Sequence, residues 1–95
     1  MVNLTAERVE KEITSAINEV KRRLKISATV DRDVCPGDIG GITSQILLTL
    51  IGRISNNLGV TVPNNCYIFH DKATERQLSI KEAAQKLLKA AKNGN

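Results

Sequence analysis

Apolar side chains recur every three or four residues in three segments of the chain, the spacing that places them on one face of an α-helix. The segments cover residues 6–25, 44–58 and 80–91. Their apolar positions are Val9, Ile13, Ala16, Ile17, Val20 and Leu24 in the first, Ile46, Leu47, Leu50, Ile51, Ile54 and Leu58 in the second, and Ile80, Ala83, Ala84, Leu87, Leu88 and Ala91 in the third. The pattern predicts three amphipathic helices, each with one buried and one solvated face.

Local capping signals mark where these helices begin and end. Thr5 is a candidate N-cap of the first helix, and Gly59 suits a left-handed stop after the second. Ser79 and Glu82 stand three residues apart, which is the capping-box pattern at the start of a helix. Ser44 opens the second helix, where a serine commonly serves as an N-cap.

The connections between the helices differ in length. Residues 26–43 contain two glycine-rich turns, one of them with a proline, and are long for a loop in a helical domain. We expect Val30, Val34 and Ile39 to attach this loop to the core. Residues 64–69 are too few for a long element and are predicted to form one short helical turn.

These elements define the predicted fold class as all-α. The expected architecture is a small bundle of three main helices plus one short helix, with a long loop between the first two main helices. Residues 1–95 are predicted to form a single domain, of which residues 92–95 are a disordered tail. Leu48 lies outside the apolar sector of its helix, and we therefore expect it on the surface.

Composition limits the kinds of site that the chain can build. Tyr67 and Phe69 are its only aromatic residues, so the core must be aliphatic and we expect no base-stacking platform. Cys35, Cys66 and the lone His70 do not provide a zinc-binding set. A disulfide between the two cysteines is allowed but nothing requires it.

The chain has no feature of a membrane protein. Charged residues begin at Glu7, and no apolar run reaches the length of a membrane span. We expect a reduced, soluble, cytoplasmic protein that is monomeric and does not bind membranes.

The net charge of +4 is unevenly distributed. Between Ile39 and His70 the only charged side chain is that of Arg53. Basic residues gather instead at the end of the first helix, where they are Lys21, Arg22, Arg23 and Lys25, and along the last helix, where they are Lys81, Lys86, Lys89 and Lys92. Cations near helix C-termini are stabilised by the helix dipole, which explains most of this charge without nucleic acid.

A nucleic-acid-binding function is a weaker alternative. The sequence pI near 9.3 and the short helices favour it. However, a helix that reads a groove needs polar readers along its exposed side, and the second helix offers only Gln45, Thr49, Arg53 and Asn56.

Ser44 is the main candidate for chemistry. It follows the glycine-rich turn at Gly40 and Gly41, and backbone N–H groups at the start of a helix suit a phosphate. His70 and Asp71 are adjacent to each other in sequence and do not make a convincing hydrolase triad with this serine. The turn also lacks the lysine of a P-loop. We therefore expect neither a catalytic residue nor a metal site, and no enzyme activity.

The order of elements resembles an acyl carrier protein, from about Ala6 to Leu88. That family has a Gly-x-Asp-Ser-Leu motif at the start of its second helix and an apolar-proline pair about nineteen residues later. Ser44 and the pair Val62-Pro63 match that spacing. The resemblance implies that Ser44 carries 4′-phosphopantetheine, whose thiol holds an acyl intermediate as a thioester. It also implies a role in fatty acid, other lipid or secondary-metabolite biosynthesis.

The sequence departs from the family pattern around the serine. Thr43 stands in the place of the aspartate and Gln45 in the place of the leucine. The second helix, usually acidic in this family, has no acidic residue from Gln45 to Leu58. The resemblance implies a phosphopantetheinyl transferase and acyl-processing enzymes as partners. They would dock on Thr43, Gln45, Leu48, Gly52 and Arg53.

Three functional interpretations follow. The favoured one is a specialised acyl carrier. The second is an unmodified interaction module with the same fold, in which Ser44 is only a helix cap. The third is the nucleic-acid binder.

Overall fold

A computed structural model describes residues 5–62, 67–71 and 73–93 of the chain. Its helices are α1 (Ala6–Leu24), α2 (Ser44–Leu58) and α3 (Ile80–Ala90), and a 3₁₀ turn spans Pro36–Asp38. Its strands are β1 (Val60–Thr61), β2 (His70–Asp71), β3 (Arg76–Gln77) and β4 (Lys92–Asn93). The three predicted main helices are confirmed, but two small strand pairs accompany them, so "all-α" describes only the principal frame.

The ends of α1 follow from local chemistry. Thr5 is its N-cap, as predicted, and its hydroxyl oxygen accepts a hydrogen bond from the Arg8 N–H at 3.2 Å. The helix ends at Leu24 because Lys25 turns into the left-handed region with φ 56°. One face, which includes Val9, Ile13 and Ile17, is buried.

α2 has the predicted bounds, and Gly59 ends it with φ 69°. Its buried face is apolar except for the Ser55 hydroxyl, which donates to the Ile51 carbonyl at 2.7 Å. Leu48 is 52% exposed, as expected from its position outside the apolar sector.

α3 begins with the predicted capping box. The Ser79 hydroxyl accepts from the Glu82 N–H at 3.2 Å, and the Glu82 carboxylate accepts from the Ser79 N–H at 3.0 Å. The helix ends at Ala90. The sequence predicts a disordered tail over residues 92–95, but the first two of these residues form a strand. Lys92 and Asn93 form β4, which pairs antiparallel with β1 through Val60. Residues 94–95 lie outside the described residues.

The short helix predicted over residues 64–69 is wrong in its described part. Residues 64–66 lie outside that part, and residues 67–69 are not helical but lead into a β-hairpin in which β2 pairs with β3. Ile68 and Phe69 are fully buried, and the Leu78 N–H donates to the Phe69 carbonyl at 2.9 Å. The segment therefore satisfies its backbone groups across the hairpin while it contributes its apolar side chains to the core.

The long loop over residues 26–43 is attached to the core, as predicted. Ile39 is buried, and Val30 and Val34 pack partly buried against the core. The Val34 carbonyl also accepts the Ile80 N–H at 2.9 Å, which links the loop to the first turn of α3.

α1 packs more extensively on α3 than on α2, and side-chain bonds fix its direction relative to α2. Arg53 pairs with Glu19, while the Asn57 side-chain amide donates to Glu12 at 2.8 Å. The later residue of α2 therefore pairs with the earlier residue of α1, so the two helices are antiparallel. In the part of the chain that the structure describes, no helix is long and apolar enough to cross a membrane.

Candidate functional site

The turn before α2 holds Ser44 at the surface of the bundle. Gly41 adopts φ 92°, a backbone conformation that residues other than glycine rarely adopt. Ile42, the next residue, is buried and its N–H donates to the Ile39 carbonyl at 3.2 Å. This anchored turn leaves Thr43 and Ser44 exposed at the first turn of α2.

The N-cap of α2 is Thr43 and not Ser44. The Thr43 hydroxyl oxygen accepts from the Ile46 N–H at 3.2 Å. Ser44 is the first helical residue, and its hydroxyl makes no hydrogen bond to any residue in the described ranges. The interpretation in which Ser44 serves as the helix cap is therefore wrong for this structure.

The first backbone N–H groups of α2 are oriented to bind an acceptor from outside the helix. The N–H groups of Ser44 and Gln45 precede the first intrahelical bond, which the Leu47 N–H donates to the Thr43 carbonyl at 3.1 Å. Neither group has a backbone acceptor within residues 5–62, 67–71 and 73–93. Two donors at the positive end of a helix dipole beside a hydroxyl make an arrangement that suits a phosphate ester.

The electrostatic surroundings of this helix come mostly from α1. Arg53 is the only charged residue of α2, and its guanidinium pairs with the Glu19 carboxylate. The hydrogen bond from Arg53 lowers the pKa of Glu19, and the charges of Arg23 and Arg22 act in the same direction. The carboxylate of Glu19 is thus already paired within the molecule.

The predicted docking residues are all exposed, but one of them already pairs with a residue of α1. Thr43, Gln45, Leu48, Gly52 and Arg53 are all exposed. Gln45, Leu48 and Gly52 lie at helical spacing on the outer face of α2. Arg53 lies at the edge that faces α1 and is already paired with Glu19.

Val62 lies where the family resemblance needs an apolar residue after α2. It packs partly buried against the core, eighteen residues after Ser44. Its partner in the predicted pair, Pro63, lies outside the described residues.

The other candidate side chains have structural roles. Both carboxylate oxygens of Asp71 are occupied, because they accept from the Thr74 hydroxyl at 2.9 Å and the Ala73 N–H at 3.1 Å. These two bonds lower the pKa of Asp71. The Cys35 thiol donates to the Gln77 carbonyl at 3.7 Å, and burial raises its pKa. Cys66, the other cysteine, is outside the described residues.

Two grooves on the surface do not include Ser44. The larger, of about 600 Å³, follows the solvent face of α1 between Glu7 and Arg22. The smaller, of about 370 Å³, lies between Lys21 and Thr29, at the end of α1. Among the described residues, no group of three or more histidine, cysteine, aspartate or glutamate side chains could hold a metal ion.

The sequence does not reveal one neighbour of the Ser44 turn. Ile26, the residue after the basic end of α1, packs on Gly41, where an added Cβ would lie 3.0 Å from the Ile26 Cδ1 atom. The contact joins residues fifteen positions apart in the sequence, and no local pattern signals it. It brings the cations of α1 towards Ser44.

Comparison of the chain with protein-family models, with curated proteins and with solved structures gave no match.

Proposed function

We propose that this protein is a specialised acyl carrier, in which Ser44 bears 4′-phosphopantetheine through a phosphodiester. When bound, that group supplies a terminal thiol that holds an acyl intermediate as a thioester for lipid or secondary-metabolite biosynthesis. The chain itself has no catalytic role in this proposal. The observation that carries it is the exposed Ser44 hydroxyl, which lies at the start of α2 while Thr43 provides the cap.

The residues around Ser44 fit a phosphodiester. The N–H groups of Ser44 and Gln45 are available to its non-bridging oxygens, and α2 contains no carboxylate that would repel it. Thr43 keeps the first turn of the helix formed without using the serine. Favourable charge at a helix N-terminus contributes roughly 0.3–1 kcal/mol at an exposed site.

Each part of the turn has a separate task in this function. Gly41 and the buried Ile42 hold the chain so that the Ser44 hydroxyl faces solvent, where a transferase can reach it. In the attachment reaction Ser44 Oγ forms a bond to the pantetheine-bearing phosphorus of coenzyme A, and the anhydride bond between the two phosphates of its diphosphate breaks. Adenosine 3′,5′-bisphosphate leaves, and the hydroxyl proton passes to the transferase or to water.

The test is a measurement of intact mass after incubation with coenzyme A and a broad-specificity phosphopantetheinyl transferase. We expect the chain to gain the mass of one phosphopantetheine, and Ser44→Ala to gain none. Ser15→Ala, which alters an exposed serine on α1, is the matched control and should be modified like the original protein. An unchanged mass with several transferases would contradict the proposal.

A further inference from the structure

The exposed side of α2 next to Ser44 is uncharged. Its outward positions are Gln45, Leu48, Thr49, Gly52 and Asn56, all of which are exposed. Leu48 is 52% exposed and forms an apolar point within this otherwise polar face. A partner that approaches Ser44 over α2 therefore meets no free charge on the helix itself.

Cations concentrate instead at the end of α1. Arg22, Arg23 and Lys25 are exposed there and Lys21 is partly buried. Arg23 pairs with Glu19 at 3.1 Å. Lys21, Arg22 and Lys25 take part in no ion pair with any other residue of 5–62, 67–71 and 73–93. We call these four residues the α1 cation cluster.

The α1 cation cluster and Ser44 lie at the same end of the bundle. Because α1 and α2 are antiparallel, the C-terminal end of α1 is beside the N-terminal end of α2. The contact of Ile26 with Gly41 confirms this at the turn itself. Ser44 follows Gly41 by three residues, so their Cα atoms are at most about 11 Å apart.

We propose that the enzymes that load and use Ser44 carry an acidic surface that binds the α1 cation cluster, with the uncharged face of α2 as the neighbouring contact. This inference rests on the proposed function and names the chemistry of its partners. Complementary charge of this kind accelerates encounter and excludes partners of the wrong sign. An uncharged centre with Leu48 and a charged rim is also the usual composition of a protein–protein interface.

An acidic protein fits this surface better than a nucleic acid does. A duplex-binding helix needs cationic or amide side chains that are free to reach base edges. On α2 the guanidinium of Arg53 is already held by Glu19, and Leu48 and Gly52 offer a duplex no hydrogen bond. Gln45 and Asn56 are exposed amide side chains on this face, and two amides without a free cation are few for reading base edges.

The first test measures how fast a transferase that modifies this chain loads Ser44 in Lys21→Gln/Arg22→Gln. Its matched control is Lys81→Gln/Lys89→Gln, which removes the same charge from exposed positions of α3. At low salt we expect kcat/KM to fall about tenfold in the first variant, mostly through KM, and to stay unchanged in the control. We also expect the difference to shrink as salt is added. An unchanged or higher kcat/KM in the first variant, or an equal fall in both, would overturn the proposal.

The second test does not require modification of Ser44. The Ser44→Ala protein is titrated with a polyglutamate peptide, and separately with a short DNA duplex, while amide NMR shifts are recorded. We expect polyglutamate to shift residues 21–26 and 41–52 and to lose affinity in Lys21→Gln/Arg22→Gln. Tighter binding of the duplex, or no binding of polyglutamate at these residues, would overturn the proposal.

The two tests separate the two proposals. If no transferase modifies the chain but polyglutamate binds at the α1 cation cluster, the carrier function is contradicted. The identity of the partners proposed for this surface is then contradicted as well. A chain that is modified at the same rate with and without the cluster keeps the carrier function and contradicts only the acidic partner.

Discussion

Thr43 caps α2 and Ser44 does not, so substitutions at these two neighbouring residues should have opposite consequences for stability and for modification. Thr43→Ala removes the hydroxyl oxygen that accepts the Ile46 N–H at 3.2 Å. Loss of an N-cap of this type costs about 1 kcal/mol, within a range of roughly 0.5–2 kcal/mol. Ser44→Ala removes a hydroxyl that makes no hydrogen bond in the described part of the chain. Its effect on the free energy of unfolding should be within about 0.5 kcal/mol.

Urea unfolding followed by circular dichroism measures both effects. With a denaturant dependence of about 1–3 kcal/mol per molar urea, Thr43→Ala should lower the midpoint by roughly 0.3–1 M. Thr43→Ser is the matched control, because it keeps the capping oxygen and should restore most of the loss. Phosphopantetheine loading provides the second measurement and should be absent only in Ser44→Ala. If Ser44→Ala were as destabilising as Thr43→Ala, Ser44 would be the cap and the separation of roles would be refuted.

Two further predictions concern the elements that support the site. A Cβ at Gly37 would lie 2.1 Å from Oε1 of Gln77, the far end of a flexible side chain that can turn aside. Gly37→Ala should therefore lower the free energy of unfolding by no more than about 1 kcal/mol, and this loss should vanish in a Gln77→Ala background. Equal losses in both backgrounds, measured by urea unfolding, would contradict that contact. Hydrogen bonds from the Ser79 N–H and then from Arg76 lower the pKa of Glu82 in the folded protein. The stabilisation that the Glu82 carboxylate gives to the folded state is therefore complete above the ordinary glutamate pKa of about 4.3, and it is lost as pH falls through the lower folded value. Calorimetry should therefore show a Tm gap between the original protein and Glu82→Gln at pH 7 that closes in acid, and a gap independent of pH would contradict this.

The helices could be predicted from sequence because their signals are local. Thr5, Gly59 and the Ser79–Glu82 pair each act on backbone groups within one turn of the helix. The apolar spacing then determines which face is buried. The sequence left open which residue caps α2, because Thr43 and Ser44 are both able to cap a helix, and in the structure the Thr43 hydroxyl accepts the Ile46 N–H.

The strands could not be predicted because their pairing is non-local and each is two residues long. β1 pairs with β4, which lies more than thirty residues further along the chain, a contact that no periodicity in either segment indicates. Phe69 lies in a run that suits a helical turn as well as a hairpin, and the pairing of His70 with Gln77 decides the outcome. The proximity of the α1 cation cluster to Ser44 was missed for the same reason, since it depends on Ile26 packing on Gly41.

Compared with the acyl carrier pattern that the sequence resembles, Thr43 stands where an aspartate is expected and the exposed face of α2 is uncharged, and these two departures have a common physical effect. Threonine provides a capping oxygen as aspartate does, so the start of the helix is formed without a negative charge beside Ser44, the proposed attachment site. Two unit charges about 5 Å apart at a protein surface interact by roughly 3 kcal/mol at an effective dielectric constant of 20. Removal of such charges changes which surfaces can approach while the geometry of Ser44 stays the same. Under the proposed carrier function, the departure from the acyl carrier pattern therefore lies in recognition, and we infer from the α1 cation cluster that the sign of that recognition is reversed.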